Sequence, residues 1–445
     1  MKIKFAFFAL MIWISFAAGI GAAGSRPASF RETPETEDAS FFADDPLLEG
    51  YIREALERNP SLQRDIAQYR ASLQKVHQLT SLPDPMFQYN QFVRSVETRV
   101  GPRLNNFSLS QKFPWFGKLD LQGQVAFKES VALYQAFRAR EREVIAEVKR
   151  AFYEIAYVDR STEISQEERL LLAHYEKLSQ ARYSQGTGLQ QAVIKIQAEI
   201  TRILDRLALL ARQRETLVAR LNTLRDQPPE NPIPRIGVDS LPDFTLNLEQ
   251  LYDLGEENRQ ELKMVMARIE KNERSIELAK KDYWPDFTLS AGMVNVGNRS
   301  DMQGIISPPP NNGKNAFNFS IGINIPIWRD KYHAGVVEAT ERSIAERKNY
   351  VQIRNEIEYS IRDQVVRLET LRDQMDLYEK ILIPQAEEAL RSTEAGYETG
   401  QVGALDLLDS ERFLLRSRLI QVRYETDYLQ AMTNLERAVG TRFPK

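Results

Sequence analysis

No proline interrupts residues 115–227, and most of that stretch is rich in Glu, Arg, Leu, Ala and Gln. A proline inside a helix removes a backbone hydrogen bond and clashes with the preceding turn, so its absence over such a length leaves very long helices open to the chain. Val193, Ile196, Ile200, Ile203, Leu207, Leu210, Leu217, Leu221 and Leu224 recur at heptad a and d spacing, with only Arg214 breaking the series; such a run predicts a coiled coil. Leu408, Leu415, Val422 and Leu429 repeat the seven-residue step further along. Two partner stripes accompany them: Val144, Val148, Phe152 and Ile155, then Ile357, Ile361, Val365, Leu368 and Leu371. At about 1.5 Å per residue, sixty helical residues reach roughly 90 Å, far more than a compact domain needs. Helices of that length bury their seams as extended hairpins or as staves of a larger barrel.

The chain also repeats itself. Segments 48–225 and 244–443 share an order of marks: an amphipathic helix with an early leucine (Leu62, Leu262), a Pro-Asp pair (Pro83-Asp84, Pro285-Asp286), two alternating segments ending at Pro114 or Pro326, and two long helical stretches. A Tyr-x-x-Gly stands before each final helix, at Tyr183/Gly186 and Tyr397/Gly400. The predicted helices are 118–182, 189–225, 331–395 and 404–440, with Pro384 predicting a kink or restart in the third. Residues 226–243, with five prolines, form a linker.

The alternating segments, predicted as strands 84–96, 104–114, 286–297 and 316–327, carry the most information. Phe317, Phe319, Ile321, Ile323 and Ile325 fall on one face, against Asn318, Ser320, Gly322 and Asn324 on the other. Phe287, Leu289, Ala291 and Met293 alternate likewise, and Phe107, Leu109 and Phe113, with Phe87 and Tyr89, do so more weakly. Two ordinary hairpins, each packing one face on a core, would show the same alternation. Length and edges favour lipid: a transmembrane strand takes about 9–11 residues, and open edges are forbidden there. Membrane barrels need about 8 strands or more, so four must be joined by strands of other copies. Three copies would give twelve. The tryptophans Trp115, Trp284 and Trp328 each stand at a strand end, as in an interfacial belt. Residues 94–103 and 297–316 are the expected loops at the other end, the second polar and mobile by composition.

Lys2 and Lys4, the apolar run 5–20 and the small residues Gly21, Ala22 and Ala23 predict a signal peptide over 1–23, followed by an extended segment over 24–47. The chain has no cysteine, which excludes disulfides, Cys-based zinc sites, thiol catalysis and a lipidated N-terminal cysteine. A net charge of −3 without a basic stripe gives no sign of nucleic acid. His77, His174 and His333 are scattered, and no phosphate loop, nucleophile elbow or paired zinc motif is found, so neither enzyme activity nor a metal or cofactor is expected.

Three stretches then resemble the TolC-like outer-membrane efflux family: Ser81-Leu82-Pro83-Asp84-Pro85; Leu109-Ser110-Gln111-Lys112-Phe113-Pro114-Trp115-Phe116-Gly117-Lys118-Leu119; and Ala395-Gly396-Tyr397-Glu398-Thr399-Gly400 followed by Asp406-Leu407-Leu408-Asp409. The second is similar to the branch serving cation and multidrug pumps of the resistance–nodulation–division type. The resemblance implies an α+β membrane protein: a homotrimer whose coiled-coil hairpins form a periplasmic α-barrel and whose strands form a shared 12-stranded β-barrel in outer-membrane lipid. It implies a passive duct that receives its substrate, metal cations or drugs, from a periplasmic adaptor and an inner-membrane pump. A periplasmic coiled-coil adaptor or scaffold without a pore is the alternative, and an autonomous porin a third.

The resemblance also implies that Asp406 and Asp409 line a periplasmic gate. Their i, i+3 spacing puts both on one helix face, and threefold symmetry would stack two carboxylate rings that attract cations. Read without the family, both aspartates simply favour a helix N-terminus. Tyr397 occupies the gate-tether position, but Val402 stands where some members carry the tether's arginine. The first repeat has Ala192 and Lys195 in place of the aspartates. Tyr183, Gly186, Gly188, Gly400 and Gly403 are expected at the hairpin tips that would dock the adaptor.

Overall fold

A computed structural model describes residues 45–238, 241–242 and 247–442. The expected signal peptide and nearly all of the segment over 24–47 lie outside the described residues. Helix α1 (Pro46–Arg58) starts on Asp45, whose carboxylate accepts from the backbone N–H of Leu47 at 2.8 Å, with Pro46 placed where no N–H is needed. Asn59 separates it from α2 (Pro60–Thr80) and caps the latter through Ser61. Two strands follow, β1 (Met86–Thr98) and β2 (Gly101–Phe113), then the long α3 (Lys118–Ser184) and α4 (Gln190–Leu224).

The second half runs α5 (Leu248–Asn258), α6 (Gln260–Lys281), β3 (Phe287–Val296), a short α7 (Met302–Ile306), β4 (Ala316–Ile323), α8 (Arg329–Leu377), one π-helical turn (Tyr378–Leu382), α9 (Ile383–Thr399) and α10 (Ala404–Val439). The π turn answers to Pro384. Proline cannot donate to the carbonyl four residues back, and the chain accommodates this by widening: the N–H of Ile383 reaches the carbonyl of Tyr378.

The strands form one antiparallel sheet in the order β1-β2-β3-β4, so β2 and β3 join the repeats, and among the described residues β1 and β4 are edges without a partner strand. Phe87 lies opposite Leu109, Leu109 opposite Ala291, and Ala291 opposite Phe319. The apolar residues of all four strands therefore share one face. That face is bare: Phe87, Tyr89, Phe317, Phe319, Ile321 and Ile323 are all exposed.

The hairpins depart from the sequence expectation. Within residues 94–103, Val96 to Thr98 pair with Arg103 to Gly101 around a turn at Arg99 and Val100, beyond a break in register between Gln91 and Val96. Pairing uses backbone groups only, so the ladder runs on past the apolar band. Gly101, at φ 121°, closes the turn where an added Cβ would meet the Gly297 carbonyl oxygen at 1.9 Å. The loop over 297–316 contains α7 and is fastened to its neighbour by the Gly313 N–H on the Val100 carbonyl at 2.9 Å. The last strand stops at Ile323, short of 327, where no partner strand is present to continue it and Pro326 lacks a donor.

The seams read from heptads are buried. Ile196, Ile203, Leu408 and Leu415 join Leu172, Ala386, Leu390 and Leu414 in a core beside the helix turns, shared by α3, α4, α9 and α10. Ile357, Ile361, Val365, Leu368 and Leu371 pack with Leu251, Leu262, Tyr428 and Leu435 in another. Each fully buried leucine or isoleucine stabilises by roughly 1.5–3 kcal/mol. The repeats also interlock through ion pairs between α3 and α10: Lys149 with Glu436 at 2.6 Å, Glu154 with Arg423 at 2.9 Å and Glu143 with Arg437 at 3.0 Å. Among the described residues no helix is long and apolar enough to cross a membrane.

Candidate functional site

The two long hairpins turn at 185–189 and 400–403. At the first, Gly186 takes a φ of 75°, and the N–H groups of Thr187 and Gly188 both reach the Arg182 carbonyl at 3.0 Å. At the second, Gly400 takes a φ of 83°, and the N–H groups of Gln401 and Val402 reach the Gly396 carbonyl at 2.9 and 3.1 Å. Both close in the left-handed conformation that favours glycine, satisfying carbonyls the helix leaves unpaired. Gly188 and Gly403 lie in the turns, and Tyr183 is exposed at the end of α3.

Asp406 and Asp409 are both exposed on the first turns of α10. Asp406 accepts from the Gly403 N–H at 3.3 Å, so it does cap its helix. Asp409 pairs with Arg412 at 3.1 Å, and Arg412 reaches across to Glu199 on α4. The two aspartates thus differ: one faces a guanidinium, while the other touches only a backbone N–H.

Tyr397 is buried, and its partners come from the other repeat. Its hydroxyl bonds Ser179, its carbonyl accepts from Arg182, and the Arg182 guanidinium carbon stands 5.0 Å from its ring centroid. One turn back, Tyr175 donates to Glu394. Burial and the Glu394 carboxylate push the Tyr175 hydroxyl well above the ordinary tyrosine range. A cation therefore does meet the tyrosine, supplied by α3 rather than by position 402. Sequence reasoning missed Tyr175, Ser179 and Arg182, although they recur at i, i+4 and i+7 on one face of α3.

Below these groups sits Glu411, about 1% exposed among the core leucines. Burial pushes its carboxyl up to about 7, only partly opposed by Arg412. At the opposite end of the molecule Trp115 stacks on Trp284 (centroids 4.9 Å apart) and on Phe287, while Trp328 stands apart and exposed at the start of α8. Asp286 ties this joint together, accepting from the Trp115 N–H at 3.0 Å and pairing with Lys112 at 3.0 Å.

Residues 251–441 match the family described as outer membrane efflux protein. The outer membrane protein TolC of Vibrio cholerae serotype O1 is 27% identical over 196 residues, 41% of this chain and 42% of that protein. The cobalt-zinc-cadmium resistance protein CzcC of Cupriavidus metallidurans is 21% identical over 174 residues, 39% of this chain and 38% of its own. The chain thus spans about two fifths of the length of the curated relatives it matches. The outer membrane protein VceC of Vibrio cholerae, at 18% identity, superposes over 89% of this chain and 97% of its own with a TM-score of 0.74. The second repeat thus carries the outer membrane efflux protein match, and the whole chain has the fold of the VceC channel protein. That fold covers both repeats, including the first, which the family match over 251–441 does not reach. Within a TolC-like frame, 185–189 and 400–403 are the ends of the two coiled hairpins, and Tyr397 with Arg182 joins them.

Proposed function

We propose that this protein is the outer-membrane channel of a tripartite efflux system, a passive homotrimeric duct that extends into the periplasm and receives cargo from a periplasmic adaptor and an inner-membrane pump. One observation carries the reading: a four-stranded sheet with two unpaired edges and an apolar face turned outward, continuous with helices too long for a compact domain. In water such a sheet would aggregate. In lipid, three copies close it into a 12-stranded barrel. Trp115, Trp284 and Trp328 then form the belt on the periplasmic side of the barrel, against lipid headgroups.

The hairpin ends form the gate and the docking tips. Asp406 and Asp409 ring the constriction, and the contacts of Tyr397 with Ser179 and Arg182 hold the second hairpin against the first. Tyr183, Gly186, Gly188, Gly400 and Gly403 shape the surface offered to the adaptor. Metal cations, as the name of CzcC suggests, or drugs are the cargo, and selection between them rests with the pump.

Purified protein added to one side of a planar bilayer tests the reading. Discrete, cation-selective conductance steps are expected. A protein that never inserts would support a scaffold instead.

A further inference from the structure

The two hairpins are built to one rule, and that rule fixes how copies join. Phe87 stands three residues after Asp84 and pairs with Leu109, which stands five before Pro114. Leu289 stands three after Asp286 and pairs with Ile321, five before Pro326. Counted from their own Pro-Asp and proline marks, the hairpins share a register. The joint between repeats follows the same marks: Leu109, five before Pro114, lies opposite Ala291, five after Asp286. The counterpart of β2 at the free edge is β4, and the counterpart of β3 is β1.

We infer that β4 of one copy pairs antiparallel with β1 of a second copy of this chain in the register that repeats the β2–β3 joint. Ile321, five before Pro326, then lies opposite Tyr89, five after Asp84. Phe319 falls opposite Gln91, Ser320 opposite Asn90 and Ile323 opposite Phe87. The inference rests on the trimeric duct reading and adds to it the residues that meet.

Two physical facts support this joint, and the second supports its register. Both strands are exposed along nearly their whole length in the single chain, so their backbone donors and acceptors await a partner. Directly opposite residues share a face, so the pairing lays Ile321 beside Tyr89 and Ile323 beside Phe87 on the apolar side, with Ser320 beside Asn90 on the polar side. A slip by one residue would set Ile321 against Asn90 and break the apolar band. A slip by two keeps the faces but shifts one hairpin along the other. The helix joints following Pro114 and Pro326 would then stand at different heights.

The absence of cysteine makes oxidative cross-linking free of background. Full-length protein in outer membranes would carry Tyr89→Cys with Ile321→Cys, or Asn90→Cys with Ser320→Cys, so that both ladder positions are sampled. Leu109→Cys with Ala291→Cys reproduces the same relation within one chain and controls for oxidation. The expected result is a shift of the monomer band to dimer and trimer mobility for at least one of the two pairs. Ile321→Cys with Phe87→Cys or with Gln91→Cys should shift far less. Stronger cross-linking in either slipped pair overturns the register while leaving the trimer intact. A native trimer with no cross-link between β4 and β1 overturns the joint itself. A native monomer overturns the duct reading and this inference with it.

Discussion

Glu411 has almost no contact with water, and its Oε1 makes no hydrogen bond. The fold holds its proton to about pH 7, whereas an unfolded glutamate releases it near 4.3. Between those values the native state binds more protons than the unfolded one, so this group's contribution to stability falls as pH rises through that window and is flat above it. A shift of that size corresponds to roughly 3–4 kcal/mol. Glu411→Gln should remove the slope, read as helix melting temperature at pH 5 and at pH 7.5; an unchanged difference between the two would contradict the assignment. The acidic pair yields an unequal prediction. Because Arg412 faces Asp409 and only a backbone N–H faces Asp406, Asp406→Ala should weaken cation selectivity in bilayers more than Asp409→Ala, and the double variant most. Equal, negligible effects would mean that neither lines the constriction. The Asp-x-x-Asp spacing was legible in the sequence, but the compensation by Arg412 was not, because Glu199 on another helix positions that guanidinium.

At the scale of elements, the heptads named the helices and their buried stripes, and their one irregularity has a cause. Arg214 pairs with Asp159 on α3 at 2.7 Å and donates to the carbonyls of Ile233 and Pro234 at 3.0 Å. Asp159, itself buried, also accepts from the Ile236 N–H. The break in the coiled coil is thus the anchor of the linker. Arg214→Leu would complete the heptad yet leave the Asp159 carboxylate buried without its cation, a loss of about 3–5 kcal/mol for a fully buried pair and less for this half-exposed arginine. Thermal unfolding should show a lower midpoint for the variant, with partial recovery when Asp159→Asn is added. A higher midpoint would mean that apolar packing outweighs the pair. The hairpin ends were less legible. Residues 94–103 are polar and read as a loop, but a ladder needs no apolar side chains. The pairing of Tyr397 with Arg182 joins helices from different repeats, a relation that periodicity within one helix does not contain.

At the scale of the whole molecule, the sheet decides the account. Alternation gave the faces of the strands, and the unclosed edges follow from their number. The pairing of β2 with β3 was not in the pattern, since alternation is equal on every strand. Ile321→Arg would set a charge on the lipid face, costing roughly 2–4 kcal/mol near the bilayer midplane. Reduced recovery of assembled protein from outer membranes is expected, and normal assembly would place that face elsewhere. The most direct measurement is the mass of the native protein extracted from bacterial outer membranes, by light scattering corrected for bound detergent. A homotrimer of the mature chain, found in that membrane fraction, is the predicted result. A monomer or dimer recovered from the periplasm without detergent would contradict the closed barrel, and with it the duct.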